Sequence, residues 1–123
     1  MSGVLTEEQE LIRKTARDFV MKELLPLANT LDPRREDMPA SLLAQLAELG
    51  FFGLRIPEQY GGLGLGCLEY CIVTEELSRG WMSVSSIIRP MIGMQAMSEP
   101  QRQKYLPRMA AGQALGAFAF SEP

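Results

Sequence analysis

The sequence predicts an all-α fold, a bundle of about five helices followed by a short extended segment at the C-terminus. Apolar residues recur at helical spacing in successive stretches, and capping signals precede two of these stretches. A 46% hydrophobic share with 22% charged residues over 123 residues is typical of one globular domain. We therefore predict a helical domain over 1–114 and the first strand of a second domain over 115–123.

The first helix is predicted to begin at Thr6. The sequence Thr6-Glu7-Glu8-Gln9 is a capping box, in which the Thr hydroxyl and the Gln amide satisfy free backbone N–H groups. An apolar stripe then continues to Leu31, so one face of this helix is expected to be buried. Pro26 should kink the helix without ending it, and Asp32-Pro33 should end it.

A second helix is predicted between Pro39, in its first turn, and Gly50, a left-handed C-cap. The glycine-rich stretch 61–66 follows and is predicted to be a loop. It superficially resembles a phosphate-binding loop. Such loops need a preceding strand and a Lys-Ser/Thr or acidic partner in a βαβ unit, so the sequence favours a turn over a nucleotide site.

A third helix is predicted over 67–79, with Leu68, Cys71, Ile72 and Leu77 facing inward. Its polar side carries the adjacent acids Glu75 and Glu76. Neighbouring residues on a helix point about 100° apart, so the two carboxylates cannot converge on one atom. This favours a solvated or salt-bridged face over an acid-base pair.

The stretch Trp81 to Met97 is the longest apolar run, and its apolar side chains fall on every side of the predicted helix. Such a helix belongs in the middle of a bundle. Half of the eight Met residues lie here, which suits either a core or the adaptable wall of an apolar ligand site. Arg89 and Pro90 interrupt the run, so it is not predicted to span a membrane.

Arg89 itself has two interpretations. An unpaired charge is costly to bury, so the side chain is expected to reach the surface. The alternative is a contact with an acidic ligand group.

A fifth helix is predicted from a second capping box, Ser98 to Gln101, with a bend at Pro107 and an end at Gly112. From Leu115 to Phe120 the pattern changes toward a period of two, which predicts a β-strand. A strand without a partner leaves its backbone groups unpaired. We therefore interpret the sequence as ending at a domain boundary.

Composition excludes several classes of function. A net charge of −3 and a pI near 5.0 give no basic face for nucleic acid. The absence of His removes the commonest neutral-pH base, and no metal site can be assembled. Cys67 and Cys71 lie four residues apart and are expected to be free, buried thiols in a reducing compartment. The first residues show no secretory or transit signal, so we expect a cytoplasmic protein.

Five segments in order resemble the amino-terminal helical domain of acyl-CoA dehydrogenases. They are L-T-E-E-Q (5 to 9), L-G-F-F-G-L-R-I-P-E-Q-Y-G-G-L-G-L-G (49 to 66), E-E-L-S-R (75 to 79), E-P-Q-R-Q-K-Y-L-P-R-M-A-A-G (99 to 112) and F-A-F-S-E-P (118 to 123). The resemblance covers nearly the whole chain from Leu5. It implies that a middle β-domain and a C-terminal helical domain complete the enzyme.

The resemblance also implies a chemistry. A carboxylate removes the α-proton of an acyl-CoA thioester while the β-hydride passes to the flavin of FAD. Flavin ribityl and backbone donors polarise the thioester carbonyl. The catalytic Glu belongs to the C-terminal domain, so Glu75, Glu76 and Glu122 are not predicted as the base. The resemblance further implies an electron-transfer partner, a homo-oligomer and a place in fatty acid metabolism.

Candidate site residues follow from the matched motifs. The F-A-F-S-E-P motif reaches the flavin edge in the family, which makes Phe118, Phe120 and Ser121 the flavin-contact candidates. Without the resemblance, the residue types Ser-Glu-Pro at 121–123 also fit a simple turn. The apolar run resembles the helix that walls the acyl pocket, which makes its inward residues substrate candidates: Val84, Ile87, Ile88 and Met91.

Three functional classes stay open. The first is an acyl-CoA dehydrogenase domain that contributes to a flavin and substrate pocket and is inactive alone. The second is a non-catalytic helical module that docks on a flavoprotein partner. The third is an unrelated structural bundle.

Overall fold

A computed structural model describes residues 5–89, 94–117 and 121. Within them the chain forms six α-helical segments and no strand. The segments are α1 (Glu7–Phe19), α2 (Leu25–Leu31), α3 (Ala40–Glu48), α4 (Cys67–Gly80), α5 (Met82–Ile87) and α6 (Glu99–Ala110). A turn of π-helix, Val20–Leu24, joins α1 to α2, so the six segments form five rods. The all-α prediction is confirmed.

The first rod is continuous from Glu7 to Leu31. Its capping box forms as predicted: Thr6 N–H donates to Gln9 Oε1 at 2.9 Å, and Gln9 N–H donates to Thr6 Oγ1 at 3.2 Å. Pro26 has no N–H to donate, and the Leu25 N–H reaches back five residues to the Val20 carbonyl. The helix therefore passes Pro26 without ending, as predicted, and it ends in a 3-10 turn at Asp32–Arg34.

Most of the apolar side chains meet in one cluster, which we call the main core. The first rod, α3, α4 and α5 all contribute to it, and α1 packs along α4. Its buried members are Ala16, Phe19, Val20, Leu24, Ala28, Leu42, Leu46, Phe51, Phe52, Leu54, Val73, Leu77, Trp81, Val84 and Ile88.

A second cluster, which we call the small core, lies between α6 and the turn Glu58–Tyr60. Its buried members are Ile56, Tyr60, Leu106 and Ala110. The Tyr60 hydroxyl donates a hydrogen bond of 2.7 Å to the Glu99 carboxylate at the start of α6, and this contact raises the pKa of Tyr60 above its ordinary value. The small core therefore attaches α6 to the glycine-rich loop.

The glycine-rich stretch is a loop that folds back on residues 53–56, as predicted. Leu63 N–H donates to the Gly53 carbonyl at 2.8 Å, and Leu65 N–H donates to the Leu54 carbonyl at 2.7 Å. A Cβ on Gly62 would overlap the Ile56 carbonyl, so only glycine allows this close backbone approach. The loop thus connects the two cores.

The prediction of one helix from Trp81 to Met97 is wrong. The helix α5 ends at Ile87, and Met94–Ala96 is a 3-10 turn; residues 90–93 lie outside the described structure. The segment is also not enclosed on every side, because the Met82 side chain is 75% exposed. Apolar composition predicted burial, but in this chain other elements cover only one face of α5.

The predicted inward face of α4 is only partly correct. Ile72 and Leu77 are buried, whereas Leu68 and both cysteines are exposed. The expectation of buried thiols is therefore wrong, although the thiols are free as expected. The inward stripe runs through Ile72, Val73, Glu76 and Leu77, so a carboxylate occupies a core position.

The C-terminal part agrees with the sequence up to Gly112. The helix α6 begins after Ser98, whose N–H donates to Gln101 Oε1 at 2.8 Å, and Gly112 has a left-handed backbone with φ of 69°. Residues 115–117 have no regular structure, and Phe118 and Phe120 lie outside the described residues. The predicted strand and domain boundary stay predictions. No helix in the described part of the chain is long and apolar enough to cross a membrane.

Candidate functional site

The helix α5 has open clefts on two sides, and the residues around Trp81 position it. Gly80 ends α4 against the first rod, where an added Cβ would lie 2.7 Å from Val20 Cγ1. Trp81 then takes an extended backbone, and its indole N–H donates to Asp32 Oδ1 at 3.1 Å. This bond attaches the start of α5 to the end of the first rod.

The larger opening, the Trp81 cleft, has a volume of about 520 Å³. Its floor is apolar and comes from Met38, Leu43, Trp81, Ile87 and Leu115. Its polar lining comprises Asp32, Arg35, Glu36 and Asp37, together with Ser83, which lines both clefts. Cofactor and substrate sites in proteins are usually concave, largely apolar and of this size. The Trp81 cleft therefore suits an apolar chain.

The second opening, the Ser/Thr cleft, has a volume of about 360 Å³ and lies between α4 and α5. Its lining comprises Tyr70, Thr74, Met82, Ser83, Ser85, Ser86 and Arg89, and most of these side chains carry a hydroxyl group. No carboxylate is among these residues, so the lining carries the positive charge of Arg89 alone. This cleft therefore offers hydroxyl groups and one guanidinium beside aliphatic surface.

Three hydroxyls of the Ser/Thr cleft already donate their hydrogens to helix carbonyls. Thr74 donates to the Tyr70 carbonyl at 2.8 Å and Ser85 to the Met82 carbonyl at 2.7 Å. Ser86 donates to the Ser83 carbonyl at 2.7 Å. Within the described structure, the hydroxyls of Ser83 and Tyr70 donate no hydrogen bond. Together with the Arg89 guanidinium, these two hydroxyls can donate to a ligand.

The predicted substrate residues separate in the structure. Val84 and Ile88 are fully buried in the main core, so neither side chain lines an open cleft among the described residues. Ile87 lies on the floor of the Trp81 cleft. Met91 lies outside the described residues. Their role in binding substrate stays a prediction.

The predicted flavin-contact residues are described only at Ser121, which is exposed. Phe118 and Phe120 lie outside the described residues. Ser121 can offer a hydroxyl and a backbone N–H to the heteroatoms of a flavin. Its role also stays a prediction.

The two adjacent acids of α4 both form ion pairs, as predicted, but the predicted position of Glu76 on the polar side of the helix is wrong, because Glu76 lies on the inward stripe. Glu76 is 1% exposed, and the Arg17 guanidinium donates to both of its oxygens, at 3.0 and 2.7 Å. These hydrogen bonds raise the pKa of Arg17. Glu75 pairs with Arg79 at 2.9 Å on the surface. Glu76 is therefore buried out of reach of a ligand, whereas Glu75 lies on the surface.

Arg89 is exposed, as the surface interpretation predicted, yet it also lines the Ser/Thr cleft. The other residues of that cleft were not identified from the sequence. The sequence does show that Tyr70 and Thr74 are one helical turn apart, as are Ser83 and Ser86, so each pair lies on one face of its helix. No group of side chains that could hold a metal ion occurs among the described residues.

Comparison with known proteins identifies the family. Residues 6–113 match the model of the acyl-CoA dehydrogenase N-terminal domain. The chain belongs to the acyl-CoA dehydrogenase family. Acryloyl-CoA reductase (NADH) of Anaerotignum propionicum is 40% identical over 100% of this chain and 32% of its own length. The chain spans between about a fifth and a third of the length of the curated relatives it matches.

Solved structures of the family have the same fold. The structure of the glutaryl-coenzyme A dehydrogenase glutaryl-CoA complex matches with a TM-score of 0.89 and 33% identity, over 100% of this chain and 33% of that chain. An acyl-CoA dehydrogenase complexed with FAD from Bacillus anthracis matches with a TM-score of 0.85 and 32% identity, over 98% of this chain and 21% of that chain. The fold is that of the family's N-terminal domain.

Proposed function

We propose that the protein acts in the FAD-dependent α,β-dehydrogenation of an acyl-CoA thioester. The chain described here would supply part of the acyl pocket and of the flavin edge and would be inactive by itself. The match of residues 6–113 to the family's N-terminal domain carries the proposal. Structures of the same fold, in complex with glutaryl-CoA in one case and FAD in another, support it.

The FAD, when bound, accepts the hydride from the β-carbon of the acyl group. The part of this chain that would meet it is the segment with Phe118, Phe120 and Ser121. Ser121 is exposed and has a hydroxyl and an N–H suited to flavin oxygens and nitrogens, so the described residue fits the group. The aromatic neighbours would exclude water from the flavin edge.

The base that removes the α-proton has to come from elsewhere. It must be a carboxylate within hydrogen-bond reach of the substrate. Glu76 is buried in its ion pair with Arg17, and Glu75 pairs with Arg79. We therefore assign no catalytic residue to the described part of this chain. The family resemblance implies a base in a C-terminal helical domain.

The acyl chain would lie along α5. Ile87 is the predicted substrate residue with a cleft-facing position, together with Leu43 and Trp81 in the Trp81 cleft. Val84 and Ile88 would support that wall from the main core, and Met91 would extend it. The relatives' names include acryloyl-CoA and glutaryl-CoA, so family membership alone does not fix the acyl group or the direction of hydride transfer.

The proposal extends to the protein's surroundings. The complete enzyme would act as a homo-oligomer in the cytoplasm, with an electron-transfer partner to reoxidise the flavin, in fatty acid metabolism.

Flavin absorbance tests the proposal. We expect the complete enzyme to carry near-equimolar FAD when purified and the flavin to bleach when an acyl-CoA is added without oxygen, with formation of the enoyl-CoA. A colourless protein whose added FAD stays oxidised with every acyl-CoA would contradict the proposal. Order gained only on binding a flavoprotein would instead support the docking module.

A further inference from the structure

The chain leaves α6 through a turn that is held in a fixed geometry. Gly112 lies in this turn with a left-handed backbone, φ of 69°, and its N–H donates to the Met109 carbonyl at 3.0 Å. The next two N–H groups, of Gln113 and Ala114, both donate to the Arg108 carbonyl, at 2.8 and 3.2 Å. Hydrogen bonds to the last turn of α6 therefore hold the backbone where it leaves the helix.

Phe52 of the main core determines where this turn lies. A Cβ added to Gly112 would lie 2.8 and 2.9 Å from two ring atoms of Phe52 and 3.2 Å from the Ala47 Cβ, so the glycine backbone lies directly on the ring. Phe52 is 5% exposed and belongs to the main core, where packed neighbours limit any shift of the ring. A side chain at position 112 would therefore move the turn rather than the ring.

The residues after the turn are also closely packed. Leu115 and Gly116 border a gap that Phe52 and Ile87 line from the other side. The gap has a volume of about 10 Å³, which is about the smallest space that a water molecule can occupy. A Cβ added to Gly116 would lie 3.6 Å from the Met109 Cε, which is ordinary van der Waals contact. The chain therefore runs from α6 along the main core and the end of α5.

Ser121, the described residue of the flavin-contact motif, follows Gly116 by five residues. An extended chain spans at most about 3.6 Å per residue, so Ser121 lies within about 18 Å of the packed segment. The direction in which the chain leaves Gly112 therefore limits where the Ser121 hydroxyl and N–H can lie. Because a hydrogen bond lengthened by about 1 Å is lost, a small shift of the turn would reach a ligand at Ser121.

We propose that Gly112 and Phe52 are positioning residues for the flavin edge, because their contact sets the direction in which the chain runs from α6 to Ser121. This inference rests on the proposed function, since it assumes that Ser121 meets the flavin of FAD. Neither Gly112 nor Phe52 touches the cofactor, and both act through the segment that follows the turn. Position 112 thus needs glycine for two independent reasons, the left-handed backbone and the contact with the ring.

Gly112→Ala in the complete enzyme tests the inference. The added methyl group overlaps the Phe52 ring and shifts the turn, so we expect FAD to bind about tenfold more weakly, which corresponds to the loss of about one hydrogen bond. The midpoint potential of the bound flavin should also change, because hydrogen bonds to the flavin ring tune it. Fluorescence titration of the apoenzyme with FAD measures the dissociation constant, and spectroelectrochemistry measures the potential.

The matched control is Gly64→Ala. Gly64 also has a left-handed backbone, with φ of 61°, but a Cβ added there would have its nearest neighbour at 3.6 Å. This variant carries the same kind of backbone strain and should bind FAD like the unaltered enzyme. The double variant Gly112→Ala/Phe52→Leu should bind FAD more tightly than Gly112→Ala, because the smaller side chain leaves room for the methyl group.

Leu115→Ala provides a second test that does not depend on the folding of Gly112→Ala. Leu115 is 50% exposed, so its truncation should leave the fold intact while removing a side chain from the packed segment. We expect FAD to bind about threefold more weakly to this variant. Thermal melts establish the temperature at which the variants compared are folded.

The outcomes separate this inference from the proposed function. Equal FAD affinity of Gly112→Ala and Gly64→Ala, no recovery in the double variant, or unchanged affinity in Leu115→Ala would each overturn the inference alone. An unaltered enzyme that binds no FAD would refute both. A loss of FAD affinity specific to Gly112→Ala, in an enzyme whose flavin no acyl-CoA bleaches, would leave the inference standing and the dehydrogenation refuted.

Discussion

The main core and the small core differ in how many elements hold them together. The main core buries fifteen of the described residues and receives side chains from both halves of the first rod, α3, α4 and α5. The small core buries four, and half-buried methionines, Met94, Met97 and Met109, border it. Flexible thioethers adapt to irregular gaps. The main core should therefore be the rigid part of the molecule, and the small core the part that tolerates change.

The largest expected effect tests this difference directly. Leu46 and Leu106 are both fully buried, one in each core. Leu46→Ala should cost about 4 kcal/mol of unfolding free energy, because rigid neighbours leave a cavity, and Leu106→Ala about 2 to 3 kcal/mol, because methionines can fill it. Urea denaturation measures both values. Equal losses would mean that the two cores are equally rigid.

The next largest loss of stability is expected from a substitution in the glycine-rich loop between the two cores. Gly62→Ala places a Cβ against the Ile56 carbonyl, where backbone has to move, so we expect a loss of about 3 kcal/mol or more. Gly61→Ala is the control: its φ is 83° but no atom lies within 4 Å of the added Cβ, so the loss should be about 1 kcal/mol. Similar losses in the two variants would argue against the close approach of residues 56 and 62.

A smaller difference in unfolding free energy is expected between the N-terminal caps of α1, in the main core, and α6, in the small core. Thr6→Ala removes the hydroxyl that accepts from Gln9 N–H, at a cost of about 1 kcal/mol. Ser98→Ala should cost less, about 0.5 kcal/mol, because the bond to Gln101 comes from the Ser98 backbone N–H and survives the change. Thermal unfolding of the two variants shows which of them loses more stability. A larger loss for Ser98→Ala would show that its side chain has a capping role.

The smallest effect concerns the contact between α1 and α4. The Gln9 amide donates to Glu69 at 2.7 Å and, together with backbone N–H groups of Glu69 and Gly66, lowers the pKa of Glu69. A lowered pKa stabilises the fold above the ordinary Glu pKa, and this stabilisation disappears as the pH falls through the native pKa. The stability difference between the protein and Glu69→Gln should therefore shrink below about pH 4.3. A difference that does not change with pH would contradict this assignment.

Local signals predicted local structure well. The capping residues Thr6 and Ser98 and the left-handed glycines Gly50 and Gly112 mark helix ends because they satisfy or redirect backbone groups near them in sequence. The same holds for Pro26, which lies within the rod without ending it. These features depend on neighbours within one or two helical turns, which a sequence displays directly.

Long-range features were not predictable in the same way. Glu76 occupies a core position because Arg17, 59 residues away, reaches it from another helix, and no spacing rule pairs these two residues. Cys71 is exposed because Ile72 and Val73 take the inward stripe of α4. Val84 and Ile88 were predicted beside the substrate, but their neighbours Ser83 and Ser86 line the open cleft. Sequence identified α5 as important, but only packing shows which of its faces is open.

The π-turn at Val20–Leu24 sets the rotational phase of the first rod. A hydrogen bond that spans five residues holds one residue more than an α-helical turn, so every side chain after it is rotated by about 100° relative to an uninterrupted helix. Phe19 before the turn and Ala28 after it both lie in the main core with this offset. Deleting one residue of Val20–Leu24 would leave a regular α-helical turn with the second half of the rod still against the core, whereas losing a second residue would turn that half by about 100°.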